Sequence, residues 1–322
     1  MRNEIDIRTM VPADAVGLAA CIRRCYGNSY PKRIMYETSV LAEHIRTRDY
    51  NGVVATVGLE VVGHIGFNWP NPAASVVEAG TTIVDASYRG QGIMGRLALV
   101  LRDNIVANGA FGFVHFPTTA HTVMQKASVQ SGGFETGLML AFLPPTARDL
   151  TIGGSGEDRL AVTVVYQPLI EAPMQTIYLP DRYHALIADL TGHLQLRRCL
   201  SRAFEKPAGK TIVRSTAVKH QKLERLTVEY IGEDIAEIIA SATKETDAVL
   251  VHVDLGMDQP QIHDAVEALR EAGFAFSAWL PHWNKSDVLR LQLLKNPTVG
   301  ERHPTLHSHA ANEIAALIRS EL

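Results

Sequence analysis

The chain has 322 residues, enough for two domains of ordinary size, and its 46% hydrophobic and 20% charged content excludes a disordered chain. A formal charge of −3 gives no electrostatic reason to expect nucleic acid or an anionic membrane as partner. No apolar run reaches membrane-spanning length, and Met1-Arg2-Asn3-Glu4-Ile5-Asp6 has no apolar signal core. The three cysteines, Cys21, Cys25 and Cys199, make no disulfide framework, which points to a reducing, cytoplasmic setting.

Ile5 to Met10 alternates as a first strand, and Pro12-Ala13-Asp14 opens a helix that Gly27-Asn28 stops after Tyr26. Cys21 and Cys25, four apart, fit a buried helix face better than a metal site. A second helix is predicted near Ser39 to Arg48, and Asn51-Gly52 turns the chain into two strands in hairpin spacing, Val53–Val57 and Val61–Trp69. Glu78 opens a further strand whose β-branched end, Thr81 to Val84, leads into Asp85-Ala86-Ser87-Tyr88-Arg89-Gly90-Gln91-Gly92. After Gly92, Ile93, Leu97, Val100, Leu101 and Ile105 recur at helical spacing. A helix opening in a glycine turn aims unpaired N–H groups and its positive dipole end at one point, which suits a phosphate. The turn is neither a P-loop nor a G-x-G-x-x-G dinucleotide fingerprint.

Arg89-Gly90-Gln91-Gly92-Ile93-Met94 resembles the acyl-CoA signature Q/R-x-x-G-x-G/A of the GNAT superfamily of N-acetyltransferases. Met94 stands where a small residue is usual, with Gly95 directly after it. The order strand, helix, helix, three strands, glycine turn and helix is the order of a GNAT domain. The C-terminal half follows the same pattern: a strand at Phe111–Phe116, a helix from His121 to Ser131, Gly132-Gly133-Phe134, and a strand from Phe134 to Leu143. The resemblance implies a mixed, mostly antiparallel α/β sheet flanked by helices, with acetyl-CoA as acyl donor. Pantetheine would pair with the backbone near Thr82–Val84, including Ile83 and Val84, where that strand splays from Phe113–Phe116. The amides of Gln91, Gly92, Ile93, Met94 and Gly95 would hold the pyrophosphate with Arg89, Gly90 and Arg96.

The resemblance also implies a base for the amine, and Glu78 is placed for that role. The same residue can equally be a solvated glutamate at a strand end. His115 is the second candidate, although a histidine among Phe113, Val114 and Phe116 is more often a packed core residue. Many members carry a tyrosine as general acid where this chain has Val129, leaving Ser128, His121 or water for that part. Thr118-Thr119-Ala120-His121 either lines the acceptor mouth or caps the helix after the strand.

The glycine-rich stretch 148–158 is predicted to link residues 1–147 to a second α/β domain over 159–322. There, Leu160–Tyr166 reads as a strand and Asp181 to Phe204 as helical with a break near Gly192. Thr211–Val218 and Leu223–Tyr230 follow as strands, Asp234–Thr243 as a helix, Ala248–Val253 as a strand and Pro260–Ala272 as a helix. Two strands, Phe274–Leu280 and Val288–Leu294, and a helix at Ala310–Leu322 complete it. Ala272-Gly273-Phe274 lines up with Gly132-Gly133-Phe134, which suggests a degenerate GNAT-like second half, without a counterpart of the glycine turn. An unrelated α/β appendage is the alternative. His303, His307 and His309 lack a cysteine or carboxylate at ligand spacing, so no metal is expected.

The expected activity is transfer of an acetyl group to an amine of a small molecule by direct attack. One rival is an acyl-CoA-binding regulatory module without turnover. Val62-Gly63-His64-Ile65-Gly66, Gln125-Lys126-Ala127 and Phe134-Glu135-Thr136-Gly137-Leu138 are similar to GNAT domains associated with anti-sigma-type ATPase modules. Another is a longer acyl chain or a hydroxyl acceptor. The oligomeric state is left open.

Overall fold

The computed structural model describes residues 4–145, 158–295 and 304–322, so the predicted linker lies outside them except for Asp158, as does His303. The described residues pack as two compact units, one holding residues 4–70, 76–115 and 145, the other residues 71–75, 116–144, 158–295 and 304–322.

The first unit runs β1 (Ile5–Thr9), α1 (Asp14–Tyr26), α2 (Thr38–Thr47), β2 (Asn51–Val57), β3 (Glu60–Asn68), β4 (Val76–Val84), α3 (Ile93–Ala107) and β5 (Gly112–His115). Its strands lie in the order β1-β2-β3-β4-β5, antiparallel except for the β4–β5 pair. Apolar residues at helical spacing on α1 (Leu18, Ile22) and α2 (Leu41, Ile45) bury against Val54, Val61 and Ile83 of the sheet. Two features of β4 matter below. Its pairing with β3 slips at a bulge where Thr81 takes a left-handed φ of 55°. Its parallel pairing with β5 is limited to three positions, Val76↔Gly112, Val77↔Phe113 and Glu78↔Val114.

The second unit continues with α4 (Val123–Gln130), β6 (Phe134–Leu143), β7 (Leu160–Pro168), β8 (Gln175–Tyr178), α5 (His184–His193), β9 (Arg198–Ser201), β10 (Ile212–Val218) and β11 (Leu223–Tyr230). Then come α6 (Ile235–Glu245), β12 (Leu250–Gly256), α7 (Ile262–Glu271), β13 (Ala275–Leu280), β14 (Val288–Leu294) and α8 (His309–Glu321). Its main sheet has the order β7-β6-β13-β14-β12-β11-β10, and only β11–β12 is parallel. Each sheet is thus mixed and mostly antiparallel, as expected.

The helix predicted over 181–204 ends at His193; residues 198–201 are instead a strand paired in parallel with β8. The cause is tertiary. Arg198 donates through Nε and a terminal nitrogen to the two oxygens of Asp287, at 2.8 and 2.9 Å, with both side chains wholly buried. Trp279 donates its indole N–H to the same carboxylate. A helical continuation would forgo this buried pair, which outweighs the local leucine spacing.

Candidate active site

The loop after β4 is built from both ends. Asp85 accepts from the Ser87 N–H at 3.0 Å and from Arg24 Nε of α1 at 2.5 Å. Burial works against the ionised carboxyl, but these bonds outweigh it and hold Asp85 below the usual carboxylate range. Arg89 turns back and donates to the Val84 carbonyl at 3.0 Å. Gly90 and Gly92 then take φ of 76° and 71°, conformations that favour glycine.

Gly92 caps α3, and the first intrahelical bond runs from the Arg96 N–H to its carbonyl at 3.2 Å. The amides of Ile93, Met94 and Gly95 therefore have no partner within the helix. A Cβ built on Gly90, Gly92 or Gly95 would meet no atom within 4 Å, so no neighbour crowds these positions. That cradle has the donor set and the room for a pyrophosphate. Ile93 contributes only its backbone, since its side chain is buried, and Met94 is half-buried. Arg96 points elsewhere: its guanidinium donates to the Ile5 carbonyl on β1 at 2.9 Å.

A slot leads away from this cradle. Beyond Glu78, β4 keeps β3 as its partner (Ile83↔His64, Val84↔Gly63) but leaves β5. One backbone edge of residues 79–84 thereby has no strand partner, although the Val84 carbonyl on it already accepts from Arg89. The Ile83 side chain turns into the core.

Glu78 sits at the closed end of the slot, the last residue paired with β5. It is partly exposed, and its carboxylate lies 3.7 Å from Lys32 Nζ. Burial opposes the Lys32 charge, but Glu78 more than compensates, so this ammonium is held above its ordinary value. His115 ends β5 one residue past the partner of Glu78. Burial drops it to about 4, its Nε2 has no hydrogen-bond partner, and its ring packs edge-on against Phe113 at 5.4 Å. It is a neutral imidazole at pH 7.

Ser128 belongs to the second unit, where its hydroxyl donates to the Met124 carbonyl of its own helix at 2.6 Å. Thr119 likewise donates to the Ala161 carbonyl, and Thr118 accepts from the Ala120 N–H. His307 donates its N–H to Gln125, and His309 faces Glu313 across one turn of α8. Among the described residues no group of three His, Cys, Asp or Glu could hold a metal ion. No helix there is long and apolar enough to cross a membrane.

Several residues around Glu78 carried no sequence signal. Lys32 and Tyr30 lie between α1 and α2, in a segment fixed by the Tyr36 hydroxyl. That hydroxyl accepts from the Tyr30 N–H at 3.0 Å and donates to the Gly27 carbonyl at 2.9 Å. Burial pushes the Tyr30 phenol up, against the pull of Lys32 and of the Thr81 hydroxyl. Beneath them Tyr50 and His64 share a 2.8 Å hydrogen bond, while His64 Nδ1 faces the Val53 carbonyl at 2.9 Å. Burial brings His64 down to about 4. The spacing of 14 residues between Tyr50 and His64 gave no hint that they meet.

The fold can be set beside known proteins. A solved N-acetyltransferase from Staphylococcus aureus Mu50 is 17% identical over 52% of this chain and 99% of its own, with a TM-score of 0.42. A ribosomal-protein-alanine N-acetyltransferase from Brucella melitensis is 15% identical over 51% and 99%, with a TM-score of 0.41. The PaiA N-acetyltransferase of Thermoplasma acidophilum, solved with coenzyme A, is 15% identical over 51% and 99%, with a TM-score of 0.37. No curated protein matches the chain in sequence. Residues 17–121, the segment that carries β4, the glycine loop and Glu78, match the model of the Acetyltransferase (GNAT) family.

Proposed function

We propose that this chain transfers an acetyl group from acetyl-CoA to the amine of a small molecule. The observation that carries the reading is the junction of an open glycine cradle with a strand edge that loses its neighbour at Glu78. When bound, acetyl-CoA would supply a thioester whose acetyl carbon becomes bonded to nitrogen as its C–S bond breaks. Gly90, Gln91, Gly92 and the amides of Ile93, Met94 and Gly95 would hold the pyrophosphate, and the edge of Thr82–Val84 would align the pantetheine arm. Glu78 is the base: its carboxylate takes the proton that the amine must lose before attacking. The thiolate takes its proton from water, since Val129 offers none and Ser128 is committed to Met124. His115, neutral and packed on Phe113, ranks behind Glu78 as base.

On this reading the chain is a tandem, with an acetyl-CoA-binding domain proposed over 1–147 and a degenerate copy over 159–322, a division that differs from the compact units, where residues 116–144 group with the second. The elements β11, α6, β12, α7, β13 and β14 repeat the order of a GNAT domain from its fourth strand onward, with β14 seated between β12 and β13. The helix exits match closely. Ser131, Gly132 and Gly133 donate to Ala127, Val129 and Ser128, as Ala272, Gly273 and Phe274 donate to Ala268, Arg270 and Leu269. Gly132 (φ 94°) thus corresponds to Gly273 (φ 88°), one residue off the alignment suggested by the shared Gly-Phe.

The second copy has no slot, because β11 and β12 pair over six positions, from Leu223↔Leu250 to Val228↔Leu255. Its helix opens after Asp234, whose carboxylate accepts from the Thr211 N–H at 2.7 Å and pairs with Lys210. Three free cysteines, one of them exposed, suit a cytoplasmic setting.

Calorimetric titration with acetyl-CoA, then a free-thiol assay across a panel of amines, tests the proposal. Binding with thiol release is expected, and E78Q should lower kcat by about 10²-fold or more while acetyl-CoA affinity stays. Binding without release on any amine would replace the transferase by a binding module. No binding would overturn the reading of the loop.

A further inference from the structure

We infer that the acceptor is an α-amino acid, recognised as a zwitterion by Lys32 and Glu78; this rests on the transferase reading above. Lys32 stands in a held segment, its carbonyl accepting from the Met35 N–H at 3.1 Å. It follows Tyr30, whose N–H is held by Tyr36, and Tyr30 packs edge-on against Tyr26 with ring centroids 5.0 Å apart. Its ammonium stands 3.7 Å from the Glu78 carboxylate, too far for a hydrogen bond. Both groups are about a quarter to a third exposed, so each keeps hydrogen-bonding capacity turned to solvent.

This pair discriminates by charge. A simple protonated amine approaching Glu78 meets a carboxylate already neutralised and an ammonium that repels it. An α-amino acid brings its own counter-charge. Its carboxylate sits two bonds from its ammonium and can take Lys32 while the ammonium takes Glu78. Two adjacent opposite charges on the protein meet two adjacent opposite charges on the ligand. With Lys32 engaged by the substrate carboxylate, Glu78 is released to accept the amine proton. The N–C bond then forms as the C–S bond breaks; the nitrogen gives its second proton to water, and the sulfur is protonated from water. Lys32 touches the substrate but moves no proton; it positions.

The test uses the full chain and a panel of free α-amino acids, each set against its carboxamide and its decarboxylated amine. Thiol release should favour the free acid by about 10²-fold in kcat/KM, chiefly through KM, because a site built for a charged partner rejects the analogue lacking it. K32M should erase that preference and K32R should restore part of it. A second readout needs no turnover. N-acetyl amino acids should bind the CoA-saturated protein more tightly than their carboxamides by calorimetry, and K32M should remove the difference. Equal use of acid and amide, or a preference that survives K32M, overturns the inference. Thiol release on simple amines with ordinary acetyl-CoA binding would do so while leaving the transferase standing. Failure to bind acetyl-CoA would remove both.

Discussion

Arg24 on α1 donates Nε to Asp85 at 2.5 Å and a terminal nitrogen to the Val61 carbonyl at 2.7 Å, so one guanidinium ties the first helix to β3 and to the end of β4. The carboxylate it holds also caps the turn at Ser87. The loop after β4 is therefore positioned from a helix more than sixty residues earlier. Replacing Asp85 by Ala removes both anchors and leaves Arg24 facing a gap. We expect a loss of about 1–3 kcal/mol in stability, seen as a lowered melting temperature, together with weaker acetyl-CoA binding. R24M keeps the Ser87 cap but leaves the buried Asp85 carboxylate without its cation and the Val61 carbonyl without its donor, so it should cost at least as much in stability.

Gly92 separates backbone geometry from charge. A side chain there meets no neighbour, but at φ 71° it costs about 1–2 kcal/mol for an ordinary residue and less for Asn or Asp. G92D should thus fold, with unchanged far-ultraviolet circular dichroism, and lose measurable acetyl-CoA binding by calorimetry. G92N, equal in shape but uncharged, should retain a weakened interaction. If both bound acetyl-CoA like the parent, the pyrophosphate would have to sit elsewhere.

Acid should destabilise the first unit through its neutral histidines. His64 and His115 sit near 4 in the folded chain because burial penalises the imidazolium, against an unfolded value of about 6.5. Between those values the unfolded chain binds more protons, so folding weakens as pH falls from about 6.5 to about 4. Each histidine contributes about 1.4 kcal/mol per pH unit in that window. Urea midpoints at pH 7, 6 and 5 should fall in step, and H64Q should flatten the slope even though it lowers the midpoint at pH 7. A slope unchanged in H64Q would mean that His64 is already charged in the fold.

The sequence was most legible where local chemistry and tertiary fold agree. The β-branched run of β4, the two glycines and the apolar spacing of α3 each encode the same turn. Most strands and the Gly-Phe exits of α4 and α7 lie within a residue or two of expectation, although β12 runs to Gly256 rather than Val253 and β8 falls outside that expectation. What escaped is long-range. Lys32 meets Glu78 across 46 positions, and nothing in Ser29-Tyr30-Pro31-Lys32 marks it as a site. Arg198 and Asp287 bury their pair across 89 residues and turn an apparent helix into β9. Arg96, beside the signature, looked like a phosphate ligand. Its place on the first turn of α3 lets it reach the β1 carbonyl instead.

The second unit makes its own prediction, because its core holds an ion pair rather than apolar packing alone. Arg290 on β14 and Asp254 on β12 are directly opposite in register and bond in a fork, Nε to Oδ1 at 2.6 Å and the terminal nitrogen to Oδ2 at 2.8 Å. Arg290 is wholly inaccessible, and its guanidinium lies over the Trp283 ring at 5.5 Å. His252, two residues from Asp254, is held neutral by burial and by the neighbouring guanidinium of Arg290, so it supplies no competing charge. Removing one partner strands the other in a medium that cannot solvate it, which costs about 3–5 kcal/mol. Removing both in favour of apolar side chains of similar volume escapes that penalty. R290M and D254L should therefore each lower the urea midpoint sharply, whereas the double variant should recover most of the loss. Strict additivity of the two single losses would show that the groups act separately, and that the fork contributes no coupling to this core.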